Sequence, residues 1–166
     1  MLFSQLDHIY GALGIRIKKI FCRINKKPDI SIIDNFISIG GSTTIKGLSK
    51  KGITAIVDLR NEDMDDPIHI QKYSMDYLRV GLIDRGIPTD IQAKEIIDWI
   101  NEKIDRGNKI FVHCNLGRGR AAVIACIYLI SKGMTYHDSI YFVKKHRKYV
   151  YLNKKQLNFI QEFKIA

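Results

Sequence analysis

Apolar residues near the N-terminus recur every three or four positions: Leu2, Leu6, Ile9, Leu13, Ile17, Ile20 and Ile24. This spacing lays one stripe along an amphipathic helix, weakened by Gly11 and Gly14 and ended by Pro28. The pattern then shifts to short runs of β-formers. A strand is expected over 36–39, just before Gly40 and Gly41, and another over 54–59, apolar enough to be buried on both faces. Between them, 42–50 reads as a helix closed by Gly52. A further strand over 75–80 leads into a loop punctuated by Gly81, Gly86 and Pro88. Thr89 then caps a helix whose Ile91, Ile96, Ile97, Ile100 and Ile104 are assigned to one face, with Gly107 beyond its end.

The strand over 109–113 runs directly into the turn Cys114-Asn115-Leu116-Gly117-Arg118-Gly119-Arg120. An apolar helix over 121–131 follows, and two more helical patterns cover 136–147 and 153–164. Strands alternating with helices predict an α/β fold, with a mostly parallel central sheet flanked by helices and ligands bound at the carboxyl ends of the strands. The Cys114 turn falls at such an end. At 166 residues there is room for one core, so the expected organisation is an N-terminal segment over 1–28 and a single domain over 29–166.

Charge sharpens that division. The chain carries a formal +10, and residues 1–28 hold Arg16, Lys18, Lys19, Arg23, Lys26 and Lys27 against Asp7 alone, half of the excess. Such a segment either packs its apolar stripe on the domain or lies on an anionic membrane. No apolar run reaches the length of a spanning helix. No motif for reading a nucleic-acid groove accompanies the charge, so nucleic acid is not an expected partner. Cys22, Cys114 and Cys126 are odd in number and form no close pair, which argues against a disulfide framework or a zinc site and for a reducing, cytoplasmic setting.

The residues with chemistry gather around Cys114. A strand-to-helix turn offers free backbone N–H groups and the positive end of a helix dipole, and both stabilise a thiolate. The same N–H groups cup the oxygens of a phosphate. Gly117 and Gly119 let the backbone come close, and Arg120 can bind two oxygens with its planar fork. Transfer of a phosphoryl group to sulfur also requires a proton donor for the departing oxygen. Asp84, in the turn-rich loop after the 75–80 strand, is the candidate, whereas Asp63, Asp65 and Asp66 cluster earlier in an acidic turn. Arg85 and Arg118 either contact an anionic substrate or face water. His113 is expected to support the loop beside the substrate, and Cys126 to lie in the core. No metal and no cofactor is required by this constellation.

The motif His113-Cys114, five residues, Arg120 resembles the signature of the protein tyrosine phosphatase superfamily, and Asp84 has the spacing of its dual-specificity branch. The likeness runs from about Phe36 to Phe163. It includes Ile56-Val57-Asp58-Leu59-Arg60 and the terminal pattern Val143, Arg147, Leu152-Asn153, Gln156 and Phe163. The resemblance implies a phosphocysteine intermediate on Cys114 and a phosphate clamp built from Arg120 and residues 113–119: His113, Asn115, Leu116, Gly117, Arg118 and Gly119. It assigns Asp84 as acid and then as base toward water.

Two positions depart from the family. Ala121 stands where most members have a Ser or Thr that helps the cysteine leave, as in phosphatases of regenerating liver and some bacterial members. Lys148 replaces the usual proline after the terminal arginine. The expected substrate is a phosphoprotein. The alternatives are a phosphoinositide or phosphatidylglycerophosphate at a membrane, favoured by Arg118 and the basic segment but not by Asn115, and a slow-turnover phosphate-binding module.

Overall fold

The computed structural model describes residues 28–164 and, from the preceding segment, Leu13. The amphipathic stripe expected before Pro28, and Cys22 within it, thus lie outside the described residues except for Leu13. Five strands form one sheet: β1 (Ile30–Ile32), β2 (Ile37–Gly41), β3 (Ala55–Arg60), β4 (Asp76–Leu82) and β5 (Ile110–Cys114), in the spatial order β1-β2-β5-β3-β4. β2, β5, β3 and β4 are mutually parallel, and the short edge strand β1 pairs antiparallel with β2. Among residues 28–164 the helices are α1 (Ile45–Ser49), α2 (Pro67–Lys72), α3 (Asp90–Asp105), α4 (Arg120–Ser131), α5 (Tyr136–His146) and α6 (Lys154–Glu162).

The mostly parallel sheet agrees with the pattern in the sequence, and the differences have local causes. β1 and α2 were not anticipated, because three residues of strand and six of helix are too short to show a period. Strand β4 continues through Gly81 instead of stopping before it. On α3, Ile96, Ile97 and Ile100 are buried, but Ile91 is 81% exposed. Five residues on a 3.6-residue turn put Ile91 well off the face that contains Ile96, so its assignment to the buried face is corrected.

Alternation along the strands divides the interior in two. On one side, Ala55, Val57, Leu59, Ile110, Val112 and Cys114 meet α3, α4 and their neighbours. On the other, Ile56 and Phe111 meet Ile45 and Leu48 of α1. Helix α4 is buried over nearly its whole length. A helix apolar on all sides is stable only as an inner element, and this one lies against β5 and β2 with α3, α5 and α6 around it. Arg120, at its N-terminus, is therefore set into the packed interior of the domain.

Candidate active site

β5 and β2 run in register, with Gly41 beside Cys114 and Gly40 beside His113. The chain leaves β5 at Cys114 and enters α4 at Arg120, and the bend between them is possible because Gly117 adopts φ +64°. A Cβ at that position would overlap the Gly40 carbonyl group. Glycine is thus required at 117 both by backbone conformation and by the closeness of β2. The Gly117 N–H points back to the Cys114 Sγ at 3.2 Å.

Arg147 holds the outer side of the loop. Its Nε donates to the Gly117 carbonyl at 2.6 Å and its Nη2 to that of Leu116 at 3.0 Å. The same guanidinium is anchored on Asp29, whose carboxylate also accepts from the Gly41 N–H. With these carbonyls satisfied by Arg147, the loop is fastened at Leu116 and Gly117 beside Cys114.

Arg120 is buried and held by several acceptors. Its Nη1 and Nη2 donate to the two carboxylate oxygens of Glu62 at 2.8 and 2.7 Å, Nη1 also donates to the Leu82 carbonyl at 2.8 Å, and Nη2 lies 3.3 Å from Asp84 Oδ1. Its buried Nε has no acceptor among the described residues. An orphaned buried donor is costly unless a ligand supplies the acceptor, and a phosphate oxygen would do so. The hydrogen bond from Arg120 is the main reason the Glu62 carboxyl is lowered to about 2.

Cys114, Asn115, Leu116, Arg118, Gly119 and Arg120 line a cavity of about 280 Å³ together with Asp84, Arg85, Tyr151, Asn153 and Gln156. Asp84, 77% exposed, is at its rim. The structure thus gathers Cys114 and Arg120, the candidate nucleophile and clamp, and Asp84, the proton-donor candidate, from two separate stretches of chain. Arg118 is buried in the wall: its Nε donates to the Tyr149 carbonyl at 3.0 Å and its guanidinium lies over the Tyr151 ring. Burial and the neighbouring positive charge of Arg85 lower its pKa, so two cations stand together beside the loop.

His113 does not line this cavity. Neighbouring residues of a strand face opposite sides of the sheet, and its ring, stacked on Phe111, bonds Asp65 at 3.0 Å. Asp58, its register partner on β3, lies 3.7 Å away. Burial alone would raise the Asp58 carboxyl, but hydrogen bonding to Arg60 and the field of His113 overcome it and leave it below the usual carboxylate range. Asp58, Asp65 and His113 could together ligate a metal, but the Arg60 guanidinium, at 2.7 Å from both carboxylates, already supplies their counter-charge. Cys126 lies in the core, its thiol pushed up to about 12 by burial, which makes it inert as a nucleophile.

Sequence reasoning missed several residues that matter here. Glu62 stands beside the acidic turn with no signal to separate it from its neighbours. Asn153 and Gln156 appeared only as members of a terminal pattern. They prove to hold the Asp84 loop, through Asn153 Nδ2 to the Arg85 carbonyl at 2.8 Å and Gln156 Nε2 to the Gly86 carbonyl at 3.0 Å.

A mostly parallel sheet that delivers a buried cysteine, a tight loop and a clamped arginine to one cavity is the frame of a phosphatase. Residues 37–165 match the family model "Dual specificity phosphatase, catalytic domain", and the chain belongs to that family. It is 30% identical over 125 residues to the mouse (Mus musculus) protein tyrosine phosphatase type IVA 3, covering 74% of this chain and 71% of that one. To the rat (Rattus norvegicus) type IVA 2 protein it is 28% identical over 128 residues, 70% of each. Among solved structures, Tk-PTP in its active form superposes with a TM-score of 0.75 at 23% identity, covering 81% of this chain and 95% of that one. PTPMT1 in complex with PI(5)P gives 0.74 at 19%, with coverages of 80% and 92%. The protein is a phosphomonoester hydrolase of the tyrosine and dual-specificity kind.

Proposed function

We propose that this phosphatase works through a phosphocysteine intermediate. The observation that carries the reading is the convergence of Cys114 and the unpaired Arg120 Nε on one cavity, with Asp84 at its rim. The Cys114 thiolate attacks phosphorus while the bond from phosphorus to the leaving oxygen breaks, and Asp84 gives that oxygen its proton. Asp84, now a carboxylate, takes a proton from a water that attacks phosphorus. The S–P bond breaks, inorganic phosphate leaves and the thiolate is restored. Asn115, Leu116, Gly117, Arg118 and Gly119 supply the cup around the phosphate, and Arg120 neutralises charge that grows in the transition state. The preferred substrate class is phosphotyrosine on protein, and the unpaired state of Cys114 and Cys126 agrees with a reducing, cytoplasmic location.

A specific observation favours a second substrate class. Arg85 and Arg118 stand together in the cavity beyond Arg120, an arrangement suited to a second anionic group, as in a phosphoinositide. One structural neighbour, PTPMT1, was solved with such a lipid. Steady-state rates on a phosphotyrosine peptide, a phosphoserine peptide and phosphoinositides, with rapid acid quench to trap phosphate on Cys114, test both mechanism and substrate. Failure to label Cys114 during turnover overturns the mechanism. Labelling without turnover identifies a phosphate-binding module in its place.

A further inference from the structure

The segment that carries Asp84 also exposes three isoleucines. Ile83 is 69% exposed, Ile87 39% and Ile91 81%. They occupy the loop and the first turn of α3, elements whose geometry is set by the Thr89 capping box and by the bonds from Asn153 and Gln156 to the loop carbonyls. Arg85 is held in the left-handed region at φ +60° within this loop. A branched aliphatic side chain left in water at three of nine positions is a cost that the fold itself does not require.

Those bonds from Asn153 and Gln156 also fix what lies beside the isoleucines. Lys148, Lys154 and Lys155 flank the cavity residues Tyr151 and Asn153 and are exposed, and from Lys144 to Lys155 the chain contains no acidic residue. The acidic groups nearest the isoleucines in the chain are Asp84, Asp90 and Glu95, the last exposed one turn beyond Ile91. Asp84 is engaged by Arg120, and Asp90 opens α3, where the helix dipole favours it. Exposed isoleucines thus adjoin the cavity residues Asp84 and Arg85 along the chain, and exposed lysines adjoin Tyr151 and Asn153. A peptide groove would be concave, whereas side chains projecting from a turn, next to lysines, match the boundary between lipid headgroups and acyl chains.

We propose that this rim docks on an anionic bilayer, with Ile83, Ile87 and Ile91 entering the headgroup boundary and Lys148, Lys154 and Lys155 lying against lipid phosphates. The cavity then faces phosphomonoesters carried on lipid headgroups. This last step rests on the phosphatase reading, whereas docking does not.

The test uses the full chain, so that the basic N-terminal segment remains in place. Co-sedimentation is measured with vesicles of phosphatidylcholine, with and without about one-fifth phosphatidylserine. Ile83→Ser/Ile91→Ser should weaken binding to the anionic vesicles about tenfold or more. Lys154→Gln/Lys155→Gln should weaken it by a similar factor that shrinks as salt is raised. The lysine variant should hydrolyse a soluble aryl phosphate as the wild type does, which keeps the test valid if the isoleucine variant proves unstable. Activity on a phosphoinositide in vesicles should fall with binding, and activity on its soluble short-chain form should not. Unchanged vesicle binding in both variants overturns the proposal, as does a loss confined to phosphopeptide turnover, which would mark the rim as a protein-docking surface. If the wild type hydrolyses no aryl phosphate, the phosphatase reading fails while the vesicle result stands.

Discussion

Arg147 and Asp29 form a buried ion pair, with Nη2 to Oδ2 at 2.9 Å and Nη1 to Oδ1 at 3.2 Å, that fastens the phosphate loop to the start of the sheet. Removing one partner of such a pair leaves the other charged, buried and unsatisfied. Arg147→Ala also strips the donors from the Gly117 and Leu116 carbonyls. A stability loss of about 3–5 kcal/mol is expected in denaturant unfolding, and under about 1 kcal/mol would show that the pair is replaced by water.

Cys114→Ser should abolish turnover and retain binding of phosphate or vanadate. The hydroxyl is a poor nucleophile, but the N–H cup and Arg120 remain. Substantial hydrolysis by this variant would reject the covalent mechanism.

Asp84→Asn should slow formation of the intermediate, most strongly for alkyl phosphates, whose leaving oxygen needs a proton, and least for nitrophenyl phosphate. The loss for alkyl phosphates should be on the order of 10²–10⁴, the worth of general acid catalysis, whereas a loss equal for all leaving groups would instead assign Asp84 to positioning Arg120, which it contacts at 3.3 Å.

Ala121 is fully buried and directly follows the clamp. It offers no hydroxyl to the sulfur that leaves in the second step. Wild type should therefore show a burst of product followed by slower turnover, and Ala121→Ser should raise kcat by about 1–3 kcal/mol worth of transition-state stabilisation, the value of one charge-assisted hydrogen bond. The gain should appear in kcat more than in kcat/KM. Absence of both the burst and the gain would show that hydrolysis of the intermediate is not limiting.

Glu62 yields a prediction with a pH signature. Its carboxyl is lowered from 4.5 to about 2, chiefly by the hydrogen bond from Arg120. Because the folded value is the lower one, the pair's stabilisation is fully present above the unfolded value and is lost as pH falls through about 2. The side chain is 40% exposed, so solvent keeps the gain small. Glu62→Gln should lower the Tm slightly at neutral pH, with the difference narrowing between pH 4.5 and about 2. It should also reduce kcat/KM about tenfold, because Arg120 loses its bidentate anchor. A Tm difference that stays constant down to pH 2 would detach Glu62 from this role.

The sequence by itself determined the main alternation of strands and helices and the candidates Cys114, Arg120 and Asp84, because these rest on local signals: runs of β-formers, helical spacing, glycines in a turn and a cysteine between strand and helix. It also carried the assignment of Cys126 to the core, since an apolar helix with no polar face has nowhere to expose it. What it did not carry are relations between distant positions. Adjacent His113 and Cys114 face opposite sides of the sheet, a consequence of strand pleat, and only the register beside β3 shows His113 to be committed to Asp65 and Asp58. Glu62 reaches Arg120 across 58 residues and Asp29 reaches Arg147 across 118, distances over which spacing carries no information. Ile91 is apolar yet exposed, because its spacing from Ile96 and Ile100 turns it off the face of α3 that the core covers.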